Sequence, residues 1–337
     1  MKKSIVVTVC LIFLILPILS GCGQKSPTPV VEPAPVTNNA DDTDVPPDSA
    51  AQKEPELPGA LLVMVDNYIK ARPQSGLDKA DLVYEMMAEG GITRFMALFY
   101  RQSATKIGPV RSARYYFVQL AKGYDSPLAH AGGSQEALQM IFDIKMKDMD
   151  EIYNAGGYFW RDKTRSMPHN LYASTEQLLK GAKAKGYKLV VPPAFGIAPK
   201  EAEGTLQDKD ILIDYSTKTY NYTVTWHYSG QMYERDINGK PHLMEDGTPI
   251  KADNVLVMVA PTKDIIKKGE LLSEINIIGK GEARYYVNGK MTKGTWAKSS
   301  VSGKMQFLDN KGDVVKLKPG KTWVQVIPKW ESISIKQ

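Results

Sequence analysis

The chain has 337 residues, 43 Lys and Arg against 37 Asp and Glu, and a formal net charge of +6. Its two cysteines, Cys10 and Cys22, both fall within the first 22 residues. The remainder therefore offers no disulfide, no free thiol and no cysteine-based metal site, and thiol catalysis is excluded.

The first 22 residues read as a secretory signal in three parts. Lys2 and Lys3 supply the positive start, Ile5 to Leu16 is an apolar run broken only by Thr8, and Leu19-Ser20-Gly21-Cys22 follows Pro17. The last four residues resemble the lipobox of bacterial lipoproteins, which implies a lipid on Cys22, a place on the extracytoplasmic face of the cell membrane, and membrane lipid as the first partner. The apolar run falls short of the roughly 20 residues a membrane span requires. Residues 23–57 hold seven prolines, small polar residues and the acids Asp41, Asp42, Asp44 and Asp48. Such a stretch buries too little apolar surface to offset its chain entropy, so it is expected to be a disordered tether. It reaches at most ~110 Å when extended and ~30 Å as a flexible coil. Setting aside residues 1–57, with four lysines and seven acids, leaves 39 basic and 30 acidic residues, a charge of +9 on the part that folds. Outside the cell that balance favours an anionic envelope polymer, a lipid head group or a lipid-linked precursor over nucleic acid.

The pattern predicts two domains, an α/β domain over residues 58–200 and an all-β domain, sandwich or barrel-like, over residues 205–337. In the first, Leu61 to Val65 reads as a buried strand. Asp81 to Ala88 and Ile92 to Tyr100 form a hairpin about Gly90-Gly91. A helix is expected from Ser112 to Lys122, stopped by Gly123, then a strand at Leu128 to Ala131 and a helix from Gln135 to Phe142. Ser174 and Gln177 form a capping box for a helix from Thr175 to Lys185. After the prolines Pro192, Pro193 and Pro199 the grammar changes to short strands. They are expected at 220–228, 231–236, 254–260, 275–278, 283–287, 304–308, 313–317 and 322–327, punctuated by Asn238-Gly239, Asp246-Gly247 and Asn288-Gly289.

Three stretches can carry chemistry. In Gly108-Pro109-Val110-Arg111-Ser112-Ala113-Arg114, two guanidinium forks at a helix start suit a phosphate or carboxylate. The same arginines can equally form structural pairs with Asp81, Glu85 or Glu89. His130-Ala131-Gly132-Gly133-Ser134 reads as strand, glycine turn and helix start, with Gly132, Gly133 and Ser134 able to offer amides to an anion or simply to turn the chain. It lacks the Lys of a P-loop and the spacing of a hydrolase elbow. In Tyr158 to Asn170, Arg161, Arg165 and His169 stand beside aromatic residues, as in sites for sugars or polyphosphates, or in a folded-over surface loop.

These stretches also carry a resemblance. Ala71-Arg72-Pro73-Gln74-Ser75-Gly76-Leu77, Glu89-Gly90-Gly91-Ile92-Thr93-Arg94, Ile107 to Arg114, His130 to Ser134, Phe159-Trp160-Arg161-Asp162 and Pro168-His169-Asn170-Leu171-Tyr172 follow one another as in the YerB-like lipoproteins. Gly294-Thr295-Trp296 and Thr322-Trp323-Val324 extend the likeness to the C-terminus. The resemblance implies a two-domain bacterial surface lipoprotein and transfers no activity. One departure follows Pro241-His242, where the next acids are Glu245 and Asp246. A second likeness, to the layout of the LytR-CpsA-Psr phosphotransferases, implies an enzyme acting on lipid-linked wall glycopolymers, with Asp81 on Mg2+ and arginines on the phosphates. Here Pro109-Val110-Arg111 has no adjacent Asp, which removes an expected metal ligand. The readings that follow are a non-catalytic lipoprotein without a cofactor, binding an anionic envelope ligand through Arg111, Arg114, Gly132, Gly133, Ser134, Arg161, Arg165 and His169; that phosphotransferase; or a scaffold for a cell-wall enzyme.

Overall fold

The structure, a computed structural model, describes residues 56–192, 196–197, 205–206, 210–267 and 270–336. The signal segment, Cys22, residues 23–55 of the tether and most of the Pro-rich boundary lie outside the described residues. Among the described residues the protein is mostly β, with few helices. No helix is long and apolar enough to cross a membrane.

The strands β1 (Leu61–Asp66), β2 (Leu82–Met87) and β3 (Thr93–Phe99) are buried along their whole length, and the last two form the expected hairpin. Two short strands, β4 (Leu128–His130) and β5 (Asp148–Asp150), extend the sheet beyond β1, each parallel to its neighbour. Helix α1 (Tyr115–Lys122) ends at Gly123 as expected but starts three residues later than its sequence suggests. Arg111 and Ser112 stay extended because the chain there still pairs with β1: Val110 bridges Val65, and Arg111 N–H donates to Met64 O at 2.9 Å. Helices α2 (Gln135–Asp143) and α3 (Thr175–Ala184) start where their caps place them. Ser134 Oγ accepts from Ala137 N–H, and Ser174 Oγ accepts from Gln177 N–H, each satisfying an amide that the helix leaves open. Two further strands, β6 (Trp160–Arg161) and β7 (Leu171–Tyr172), close the loop between β5 and α3.

The C-terminal strands do not pair as a separate sandwich or barrel. Thr322–Ile327 inserts in parallel register between β2 and Asn254–Val259. The main sheet therefore continues from β5, β4, β1, β3 and β2 through that strand to Asn254–Val259, Gly279–Val287, Lys290–Lys298 and Gln306–Asp309. The sheet is open. The physical reason is that β2 would otherwise present an unpaired apolar edge. A second sheet, centred on Asp210–Asp214, Thr223–Tyr228 and Tyr233–Ile237, lies against one face of the first. Trp226 from this sheet meets Trp323 edge-on, with ring centroids 5.4 Å apart, and Trp323 meets Phe95 at 5.3 Å.

Between the two sheets lies a buried polar network. Glu85 and Arg235 are both 0% exposed and form an ion pair at 2.8 Å. Side chains alternate along a strand, so Tyr84 points the other way and meets Tyr124. The other oxygen of Glu85 accepts from the hydroxyls of Tyr222 and Thr93, each at 2.7 Å. Asn67 donates to those same two hydroxyls. Arg235 also donates to His242 Nδ1 at 2.6 Å, and His242 Nε2 donates to Gln74 at 2.9 Å. His242 is thereby fixed as a neutral ring. Burial, and the charges of Arg235 and Arg72, hold its pKa well below the usual histidine value.

Candidate functional site

Strands β1, β4 and β5 run parallel, so their carboxyl ends lie side by side, the usual place for ligands in such sheets. Those ends carry Asp66, the turn at Gly132 and Glu151. The segment 110–114 is laid across them by backbone hydrogen bonds. Arg111 O accepts from Ala131 N–H at 3.2 Å, Ala113 N–H donates to Gly132 O at 2.9 Å, and Ser134 N–H donates to Ala113 O at 3.3 Å. Gly132 has φ +62°, a left-handed conformation open to glycine, and a Cβ there would sit 2.9 Å from Ile152 Cδ1. Its N–H is already taken by Asp150 at 2.8 Å, and the hydroxyl of Ser134 caps α2.

Arg111 Nε approaches the Asp66 carboxylate at 3.4 Å, and His169 Nδ1 meets the same oxygen at 2.8 Å. Burial of Asp66 works to raise its pKa. The His169 hydrogen bond, the Arg94 charge, the Tyr68 amide and Arg111 outweigh that and lower it. Glu89 is held between Arg94 and Arg114, the latter at 2.8 Å, and its pKa is likewise lowered by the arginines against the effect of burial. Burial and the adjacent Arg94 charge pull Arg114 below the ordinary arginine range. Three guanidinium groups thus crowd two carboxylates, and the Nε atoms of Arg94, Arg111 and Arg114 are buried without a hydrogen-bond partner.

The ring of contacts closes through the loop between β6 and β7. Arg161 donates to Glu151 at 3.2 Å and to Asn170 Oδ1 at 3.1 Å, next to His169. Glu151 N–H returns to His130 O at 2.9 Å. Beneath the ring, His130 is wholly buried. Its Nδ1 faces Gly132 O at 2.8 Å and its Nε2 faces Asp148 at 2.7 Å. Both partners are acceptors, so the ring carries both protons. Burial opposes the charge, but the hydrogen bond to Asp148 and the charges of Asp148 and Asp150 prevail and raise the pKa.

The structure therefore brings Arg111, Arg114, Gly132, Gly133, Ser134, Arg161 and His169 to one end of the sheet. Arg165 points elsewhere: it donates to Pro73 O at 2.9 Å and to Tyr172 Oη at 2.6 Å, fastening its loop to residues 70–73. Asp81 lies at the opposite end of the sheet, ahead of β2, where its carboxylate accepts from the amides of Tyr100 and Arg101. Among the described residues no group of three or more His, Cys, Asp or Glu is placed to hold a metal ion. Asp81, occupied by backbone amides, does not fit the magnesium role its position in the sequence implied. Arg114 is the N-cap of α1, which begins only at Tyr115, and Arg111 lies in the extended segment ahead of it, so the two do not stand together above the helix start. Sequence reasoning named Glu89 as a partner but passed over Asp66, Arg94, Glu151 and His130 as site residues. The signal available was an acid at the end of β1, Asp66, and another just after β5, Glu151. A separate cavity of about 500 Å3, lined by Ser75, Lys79, Lys106, Glu245 and Asp246 among others, contains none of the expected residues.

Comparisons with known proteins agree with this architecture. A family described as "Protein of unknown function (DUF3048) N-terminal domain" matches residues 48–188, and its C-terminal domain matches residues 211–324. A Bacillus subtilis (strain 168) protein, "Putative lipoprotein YerB", is 32% identical over 344 residues, covering 99% of this chain and 98% of its own. The crystal structure of Bacillus subtilis YerB superposes with a TM-score of 0.74 at 31% identity, covering 86% of this chain and 96% of that one. The chain belongs to the two-domain YerB-like family.

Proposed function

We propose that the protein is an extracytoplasmic lipoprotein, held to the membrane through Cys22, that binds an anionic group of an envelope component at the carboxyl ends of β1, β4 and β5. Support for the anchor comes from the lipobox-like Leu19-Ser20-Gly21-Cys22 and from the relative named as a lipoprotein. The observation that carries the binding reading is the charge imbalance around Arg111. Three guanidinium groups share two carboxylates, and Arg111 reaches its own carboxylate only through Nε at 3.4 Å. A phosphate or carboxylate placed beside the partly exposed Arg111 gives its guanidinium an acceptor and relieves the repulsion among the three. Phosphoryl transfer has no comparable support, because Asp81 lies at the far end of the sheet.

Calorimetric titration of inorganic pyrophosphate into the mature protein tests this reading. Wild type binds; Arg111→Gln and Arg161→Gln each weaken binding at least ~10-fold, the equivalent of roughly 1.5–3 kcal/mol for a charge-assisted contact. Absence of any heat with wild type, or variants that bind as tightly as wild type, refutes the anion site.

A further inference from the structure

The arginine ring is framed by large apolar side chains in solvent. Ile69, Ile152, Tyr153 and Met167 are between 59% and 69% exposed. Each belongs to the ring by contact or by chain. Ile152 Cδ1 packs at Gly132, and Tyr153 follows it. Ile69 follows Tyr68, whose ring lies 5.2 Å from that of His169. Met167 stands two residues before His169. Four of the ten exposed large hydrophobic side chains among the described residues belong to this one end. Soluble proteins seldom leave such a group uncovered, and when they do it marks an interaction surface.

Composition identifies the kind of partner. The chain has 34 lysines and only nine arginines, yet Arg94, Arg111, Arg114, Arg161 and Arg165 all lie in or beside this region. Tyr, Trp, Met and Arg are the residues enriched in protein interfaces, where lysine is depleted, and Arg with Tyr and Trp supply most binding hot spots. A basic centre inside an apolar rim is complementary to a polypeptide that places an acidic side chain among apolar ones. The bilayer is the poorer match. Anionic lipid surfaces are met by lysine and arginine alike, whereas the charged groups gathered here are arginines.

Resting on the anion site proposed above, we infer that this face docks a protein partner through an acidic residue flanked by apolar side chains. The carboxylate sits against Arg111 and Arg161, and the apolar flanks cover Ile152, Tyr153 and Met167. The test uses the full mature protein in detergent and a phage-displayed library of random 12-residue peptides, with the selected peptides then synthesised and titrated. Selected peptides carry Asp or Glu within two positions of Leu, Ile, Phe or Trp. The double substitution Tyr153→Ser with Met167→Ser weakens them at least tenfold and leaves pyrophosphate binding unchanged, whereas Arg161→Gln weakens both. Peptides without the acidic-apolar pattern, or peptides indifferent to the double substitution, overturn the inference. So does a double variant whose one defect is in binding phosphatidylglycerol vesicles, which would assign the face to lipid. Silence of pyrophosphate beside Arg161-dependent peptide binding sinks the phosphate reading and leaves the docking face standing.

Discussion

Replacing Arg235 with Met probes the buried junction between the two sheets. The guanidinium is wholly buried, pairs with Glu85 at 2.8 Å, donates to Tyr222 and His242, and lies 4.8 Å from the ring centroid of Trp323. Methionine fills much of the same space but leaves the Glu85 charge facing only the neutral donors Tyr222, Thr93 and Asn67, in a site closed to water. Removing one partner of a buried pair costs about 3–5 kcal/mol, and Arg235→Met is expected in that range. Glu85→Gln strands the arginine in the same way, so the two single substitutions sum to about 6–10 kcal/mol. In the double variant neither charge remains, and the residual penalty is that of one unpaired amide and the altered packing. It should fall at least ~2 kcal/mol short of the sum. Urea unfolding followed by tryptophan fluorescence and far-ultraviolet circular dichroism measures all four proteins. A loss below ~1 kcal/mol for Arg235→Met, or strict additivity in the double variant, would falsify the view that the pair is isolated from solvent and mutually dependent.

The parallel insertion of Thr322–Ile327 beside β2 leads to one cooperative transition in the same experiment, with both signals coincident; two resolved steps would contradict it. The folded-state pKa of His130 lies above its ordinary 6.5, so its contribution to stability is whole below that pH and is lost as pH rises through the folded value. His130→Asn should flatten the pH dependence of melting on that side, and an unchanged slope would count against the buried imidazolium. His242 acts oppositely: its folded pKa lies well below 6.5, so stability falls as pH drops under 6.5 and the unfolded chain takes up a proton that the folded chain refuses. Replacing His242 with Gln should lessen that acid sensitivity. Gly76 has φ +80°, and a Cβ there would lie 2.4 Å from Lys106 O; Gly76→Ala should lower stability by more than ~1 kcal/mol in thermal melts. Cys22→Ala should abolish incorporation of a tagged fatty acid in cells, and equal labelling of variant and wild type would remove the anchor.

Local structure was legible wherever one residue decides it. Ser134 and Ser174 each cap the helix they announce, the Gly90-Gly91 hairpin is in place, and the strand Thr322–Ile327 has the limits its apolar run and the Pro319-Gly320 turn suggest. Strands such as Lys290–Lys298 and Asp210–Asp214 were missed because their alternation is blurred by lysines or short. Pairing was not legible at all. Nothing local indicates that residues 322–327 find β2 some 240 positions earlier, because that choice depends on which apolar edge is left open. The site was half visible for the same reason. Arginines beside glycines could be seen, while their partners Asp66, at the end of β1, and Glu151, just after β5, carry no local mark of a site, and only the register of β1, β4 and β5 brings them together.

The position of Thr322–Ile327 bears on how the protein is made. Ten residues of the sequence follow it, yet it occupies the middle of the main sheet and contributes the buried Trp323. Until those residues have been delivered, β2 and Asn254–Val259 each expose an open edge and the sheet has a gap at its centre. A chain that emerges N-terminus first therefore cannot complete its main sheet until residues 322–327 have been delivered. By the same logic a premature stop anywhere before residue 328 should yield no trimmed but working protein. It should instead release two sticky half-sheets, a substrate for quality-control proteases.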